Sequence, residues 1–127
     1  MNGFLAVAAG GAIGAILRHG VGLAALRFLA GGGATATLLV NVVGSALMGL
    51  LMGWLLERDV SAENTIYLFV GTGILGGFTT FSAFSRETVH MINTGSPFKA
   101  LMYALVSVVV SVTALMITLY ISRKAFG

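Results

Sequence analysis

No cysteine occurs anywhere in the chain, which removes disulfides, thiolate metal sites and cysteine nucleophiles at once. Charge is almost as scarce. Only 9% of the 127 residues are charged, where a soluble domain carries about 25%. With 57% hydrophobic residues and a mean hydropathy of +1.00, the chain cannot cover its own surface with polar groups, so it is a membrane protein. A single proline against eighteen glycines fits close helix packing better than disordered linkers. Aspartate and glutamate are missing from the first, second and fourth apolar stretches, so no carboxylate proton relay is evident. His19 and His90 are too isolated for a metal site, and neither a nucleophile–base pair nor a phosphate loop is visible. An enzyme is not expected. The net charge of +3 would suggest nucleic acid in a soluble chain. Here the basic residues are scattered singly over loops and helix ends, where they read as interface anchors in a lipid bilayer.

Four uncharged stretches organise the chain as one four-helix membrane domain over residues 1–127. The first runs over residues 1–17 and continues past Arg18 and His19 to about 26. It lacks the charged start of a signal peptide and is followed by further spans, so cleavage is not expected. The second lies within 28–56, with the span itself at 34–56; the third covers 64–85 with a more polar continuation to about 93; the fourth covers 100–122. Loops are marked by Gly31-Gly32-Gly33, by residues 57–63, and by Asn93-Thr94-Gly95-Ser96-Pro97. Both termini then lie on one side. Gly10 and Gly14, and the seam Ser45, Gly49 and Gly53, predict close helix packing where lipid gives no hydrophobic drive to associate. Four short helices leave little interior for a pathway, so an oligomer is expected. Arg58, Arg123 and Lys124 stand on the side of the termini against Arg27, Arg86 and Lys99 on the other, with Arg18 set aside as a residue of the first span. Three against three gives the positive-inside rule nothing to act on. A chain that inserts both ways closes most simply as an antiparallel two-fold dimer; lipid composition or one dominant charge fixing a single orientation is the alternative.

The third stretch is the informative one. GTGILGGFTTFSAFS at 71–85 is long and uncharged enough to span, yet paired glycines followed by paired threonines make a poor continuous helix. A helix broken at membrane depth leaves backbone groups that lipid cannot satisfy, so they must face protein, water or an ion. Neutral donors line up around it. Thr37, Asn41 and Ser45 recur every four residues on the second helix; Tyr103, Ser107 and Ser111 do so on the fourth, with Thr118 near that line. Thr79, Ser82 and Ser85 recur every three beside Phe81 and Phe84. Any one hydroxyl can bond its own helix, but three parallel stripes suit a small anion. Amide, hydroxyls and the positive edges of phenylalanine rings each replace part of a hydration shell, and conduction needs weak, multiple sites rather than a fixed cation. Arg18 is the basic residue nearest a pore mouth, either attracting anions or snorkelling to the interface.

The string GGAIGAILR at 10–18, the Val40-Asn41-Val42-Val43-Gly44 element, and above all GGFTTFSAFSRET at 76–88 closely resemble the Fluc (CrcB) family of fluoride channels, over essentially the whole chain. The resemblance implies an antiparallel, dual-topology homodimer in the cell (inner) membrane with two pathways that export fluoride passively and so lower its toxicity. By match to the family's motif, Phe81 and Phe84 are ring-edge contacts and Asn41 a pore-lining amide. Tyr103, Ser107 and Ser111 form a polar track, and Glu87 is the carboxylate at the end of the broken helix. The carbonyls of Gly76 and Thr79 from both subunits would hold a structural sodium ion at the dimer centre, four oxygens that a hard cation accepts. Two departures are visible: His19 where an aromatic is common, and Ala83 where threonine is common. A small multidrug-resistance exporter, the main alternative, needs a glutamate within its first helix, which this chain lacks. The other alternative is a non-transporting scaffold, against which the broken helix argues.

Overall fold

Residues 3–28 are apolar, rich in alanine and free of proline, and they form one helix, α1 (Gly3–Phe28), started by the Asn2 side chain accepting the Phe4 N–H. The computed structural model describes residues 2–61 and 63–127. Gly31 and Gly32, with φ of 90° and 51°, turn the chain in the left-handed region that glycine tolerates, and α2 (Gly32–Leu56) runs back. The third span is α3, wound as a π-helix over Tyr67–Leu75 and closed by one α-turn, Gly76–Phe78, followed after a break by α4 (Phe81–Asn93). Gly95, at φ 80°, ends α4: its N–H reaches Ile92 O and the Ser96 N–H reaches Met91 O, satisfying the last carbonyls. Pro97 then opens α5 (Pro97–Phe126). Among the described residues, four stretches (Gly3–Phe28, Gly32–Leu56, Tyr67–Asn93 and Pro97–Phe126) are long and apolar enough to cross a membrane.

The break differs in detail from the sequence expectation. The glycine pair stays helical, with Gly76 at φ −62°, ψ −38°. The interruption is the threonine pair, extended at Thr79 (φ −80°, ψ 160°) and Thr80 (φ −155°, ψ 119°). The glycine at 77 serves packing instead: a Cβ there would lie 2.6 Å from Gly11 O on α1.

Small residues set the helix spacing. Gly10 and Gly14 bring α1 onto the backbone of α3, where any Cβ would collide with the carbonyls of Phe69 and Ile74. Gly49 and Gly53 do the same for α2 against α5, beside Ser122, whose hydroxyl donates to Leu50 O at 2.7 Å. The buried apolar residues are mostly small (Ala6, Ala25, Ala36, Ala100), while most large apolar side chains point outward, as lipid as solvent allows. At the end holding both termini and the α2–α3 loop, Arg123 pairs with Glu57 at 3.0 Å and the Arg58 guanidinium lies 4.5 Å from the Trp54 ring centroid.

Candidate functional site

Two extended threonines at membrane depth need substitutes for the helix bonds they forgo. Asn41, on the facing turn of α2, supplies both: its Oδ1 accepts the Thr80 N–H at 2.8 Å and its Nδ2 donates to Thr80 O at 3.0 Å. The Thr80 hydroxyl accepts the Ala83 N–H at 3.2 Å and so restarts the chain as α4. Thr79 turns its hydroxyl back to Leu75 O at 3.0 Å and sets its methyl into the notch left by Gly44. Arg18 points inward, its Nη1 lying 3.4 Å from Thr79 O.

Beside the break lies a groove of about 300 Å³. Asn41, Ser45 and Thr79 form one wall, Phe81 and Phe84 the second, and Ser107 and Ser111 of α5 the third. The hydroxyls of Ser107 and Ser111 are buried and have no hydrogen-bond partner among the described residues. They are the outstanding feature of the site, because serine in a helix ordinarily bonds a carbonyl of its own turn and an unpaired buried hydroxyl costs about 1–3 kcal/mol. Phe81, Phe84 and Tyr103 form an aromatic ladder, each neighbouring pair 5.4 Å apart between centroids and tilted by 40° and 37°.

One turn further along, Glu87 gathers three helices. It accepts the Thr37 hydroxyl at 3.0 Å and the Tyr103 hydroxyl at 2.8 Å, and the Arg86 guanidinium stands 3.6 Å away. Thr37, Ser82, Arg18 and Glu87 also line a cavity of about 640 Å³ adjoining the break. Eight of the ten expected pathway residues therefore fall into two groups, with Arg18 and Ser82 in the larger cavity outside both. Asn41, Phe81, Phe84, Ser107 and Ser111 share the groove; Thr37, Tyr103 and Glu87 form a closed cluster whose two hydroxyls are already committed to the carboxylate. Ser82 faces Thr80 Oγ1 at 3.3 Å, and Ser85 and Thr118 bond their own helices.

Thr80 was absent from the sequence-based set. Its signal was available, since a threonine before a restarting helix is a helix N-cap. Gly76, by contrast, has ordinary helical angles and room for a Cβ, the nearest atom being Gly71 O at 3.8 Å, so nothing within one chain requires glycine there.

A hard cation would look for backbone oxygens at this break, and two are to hand. The Thr80 N–H is diverted to Asn41, so the Gly76 carbonyl loses the donor a continuous helix would bring to it. The Thr79 carbonyl faces Arg18 with one of its two lone pairs and keeps the other. The donor set fits a cation, with the Arg18 guanidinium as its competitor at Thr79.

The profile of the family described as CrcB-like protein, Camphor Resistance (CrcB), matches residues 5–119. The chain is 55% identical to a protein of Hyphomonas neptunium named fluoride-specific ion channel FluC, over the full length of both. It is 44% identical to proteins of the same name from Caulobacter vibrioides strain NA1000 and from Phenylobacterium zucineum, again over the full length of each.

Proposed function

The chain belongs to the CrcB family, and on that premise we propose that it is a fluoride channel, passing the ion down its gradient and out of the cytoplasm. The observation that carries this reading is the pair of buried, unpartnered hydroxyls of Ser107 and Ser111 opposite the rings of Phe81 and Phe84. Fluoride is a small acceptor without a donor of its own. It is satisfied by O–H groups and by the positive rim of an aromatic ring, and the groove brings both together. No fixed cation lines that groove, so the ion is held weakly enough to leave. The remaining Nδ2 hydrogen of Asn41 is a third donor at the same level, while the other two hydrogen-bonding directions of that amide hold the break in shape.

The second element of the proposal is a dual-topology, antiparallel homodimer. It rests on the even spread of lysine and arginine between the two ends and on Phe81, a groove-lining ring that is 76% exposed in the single chain. A second copy laid against the break would cover that ring and close the groove. A structural sodium ion at the two-fold axis, held by Gly76 and Thr79 carbonyls of both copies, completes the proposal. Such an ion would supply fixed positive charge beside the path. The inner membrane is the expected location, and no chemical step is required of any residue.

Ser107→Ala/Ser111→Ala is the direct test. In liposomes, measured with a fluoride-selective electrode, the double variant should lower fluoride efflux at least about tenfold, the equivalent of one lost hydrogen bond of ~1.4 kcal/mol in the barrier. Unchanged efflux from correctly assembled protein would remove the groove from the ion's route.

A further inference from the structure

Between the start of α2, α4 and the first turns of α5 lies another cavity, of about 800 Å³, which shares only Glu87 and Tyr103 with the expected anion path. Its chemistry changes with depth. The rim at the helix ends carries Lys99 and Ser96, with His90 and Arg86 one and two turns along α4. The floor is Leu38, Met102 and Val106, beside Glu87 and Tyr103. From Lys99 to Val106 α5 rises about 10 Å, so its side of the cavity passes from basic to apolar. Arg86, next to the Glu87 that bonds Tyr103, sits level with that apolar stretch on α4 and reaches toward Lys99 by the length of its side chain. The neighbouring cavity shares Arg86 and Glu87 but has a polar floor of Thr37, Ser82 and Arg18, which suits an ion and not a chain of methylenes.

Charge around the rim points the same way. At this end of the molecule Arg27, Arg86 and Lys99 face one carboxylate, Glu87, which is already occupied by Thr37 and Tyr103. At the opposite end Glu57, Asp59 and Glu63 balance Arg58, Arg123 and Lys124. The excess positive charge is therefore concentrated where the cavity opens. Arg86, whose side chain is 77% exposed, and Lys99 are long enough to reach a phosphate while their stems line the wall.

We infer that this cavity binds an anionic phospholipid, its phosphate between Arg86 and Lys99 and an acyl chain along Leu38, Met102 and Val106. The inference needs only that the chain lies in a bilayer and is independent of which ion it conducts. Basic side chains at a membrane surface each favour anionic lipid by about fivefold.

The test is native mass spectrometry of the purified protein released from mixed phosphatidylglycerol and phosphatidylcholine. The expected result is selective retention of phosphatidylglycerol. Arg86→Gln/Lys99→Gln should lower that retention by about fivefold for each charge removed. Met102→Trp, which fills the floor with both charges in place, should lower it as well, and Arg58→Gln at the far end should not. Because the charge variants alter the rim and the floor variant alters the interior of the cavity, a folding defect in one leaves the other to decide. Equal retention of the two lipids, or retention unmoved by both sets of variants, would overturn the inference. So would displacement of the lipid by inorganic phosphate together with retention unmoved by Met102→Trp, since that describes an anion site with no acyl component.

Discussion

Asn41 commits its amide to the backbone of Thr80 in both directions, so its chemistry can be altered one function at a time. Asn41→Asp keeps an acceptor for the Thr80 N–H but sets a carboxylate oxygen against Thr80 O, where Nδ2 stood at 3.0 Å. Two acceptors repel there, and the added negative charge repels an anion in the groove. Fluoride efflux should fall almost to background, and the melting temperature should drop with the loss of about 1–3 kcal/mol. Efflux near that of the unaltered protein would mean that neither the clamp nor the charge at position 41 governs the path. The type and face of this residue were legible in the sequence, because Thr37, Asn41 and Ser45 share a four-residue period. Its partner was not. Thr80 meets Asn41 only because α2 comes close to α3 at the break, and no local pattern encodes that approach. The unpaired state of Ser107 and Ser111 was hidden for the same reason, whereas Thr118, seven residues beyond Ser111 on nearly the same line, bonds its own turn.

At the level of the elements, close approach of α1 and α3 decides where the break sits. Gly14 meets the Ile74 carbonyl with no room for a Cβ, while a Cβ at Gly11 would meet nothing within 4 Å. Gly14→Val should therefore destabilise the protein by the upper part of about 1–3 kcal/mol, since backbone cannot move aside as a flexible side chain can. Gly11→Ala should stay within ~0.5 kcal/mol of the parent. Thermal unfolding in detergent compares the two, and similar melting temperatures would show that this seam does not hold the third span. Four spans, their loops and an interruption in the third were readable from runs of uncharged residues and from glycine and threonine pairs. The π-winding of Tyr67–Leu75 was not, because a register of backbone hydrogen bonds leaves no mark in composition. The role of Gly77 was misplaced in a telling way: the sequence shows that the residue is small, and only the neighbouring helix shows whether smallness serves a bend or a contact.

For the whole molecule, lysine and arginine are even between the two ends, and a break-side ring, Phe81, stands open on one face. A reporter fused to the C-terminus should accordingly be found on both sides of the membrane, and adding two or three lysines to one set of loops should drive one orientation and abolish flux when that form is expressed alone. One fixed orientation in the unaltered protein would contradict the antiparallel dimer. The central claim is that a narrow path of neutral donors and ring edges selects the smallest halide. Its most direct test is efflux from liposomes that contain only the purified protein and are loaded with either fluoride or chloride. The account predicts rapid fluoride efflux in either direction of the gradient, with no need for a proton gradient, and chloride efflux at the level of protein-free liposomes. Equal rates for the two halides would contradict it.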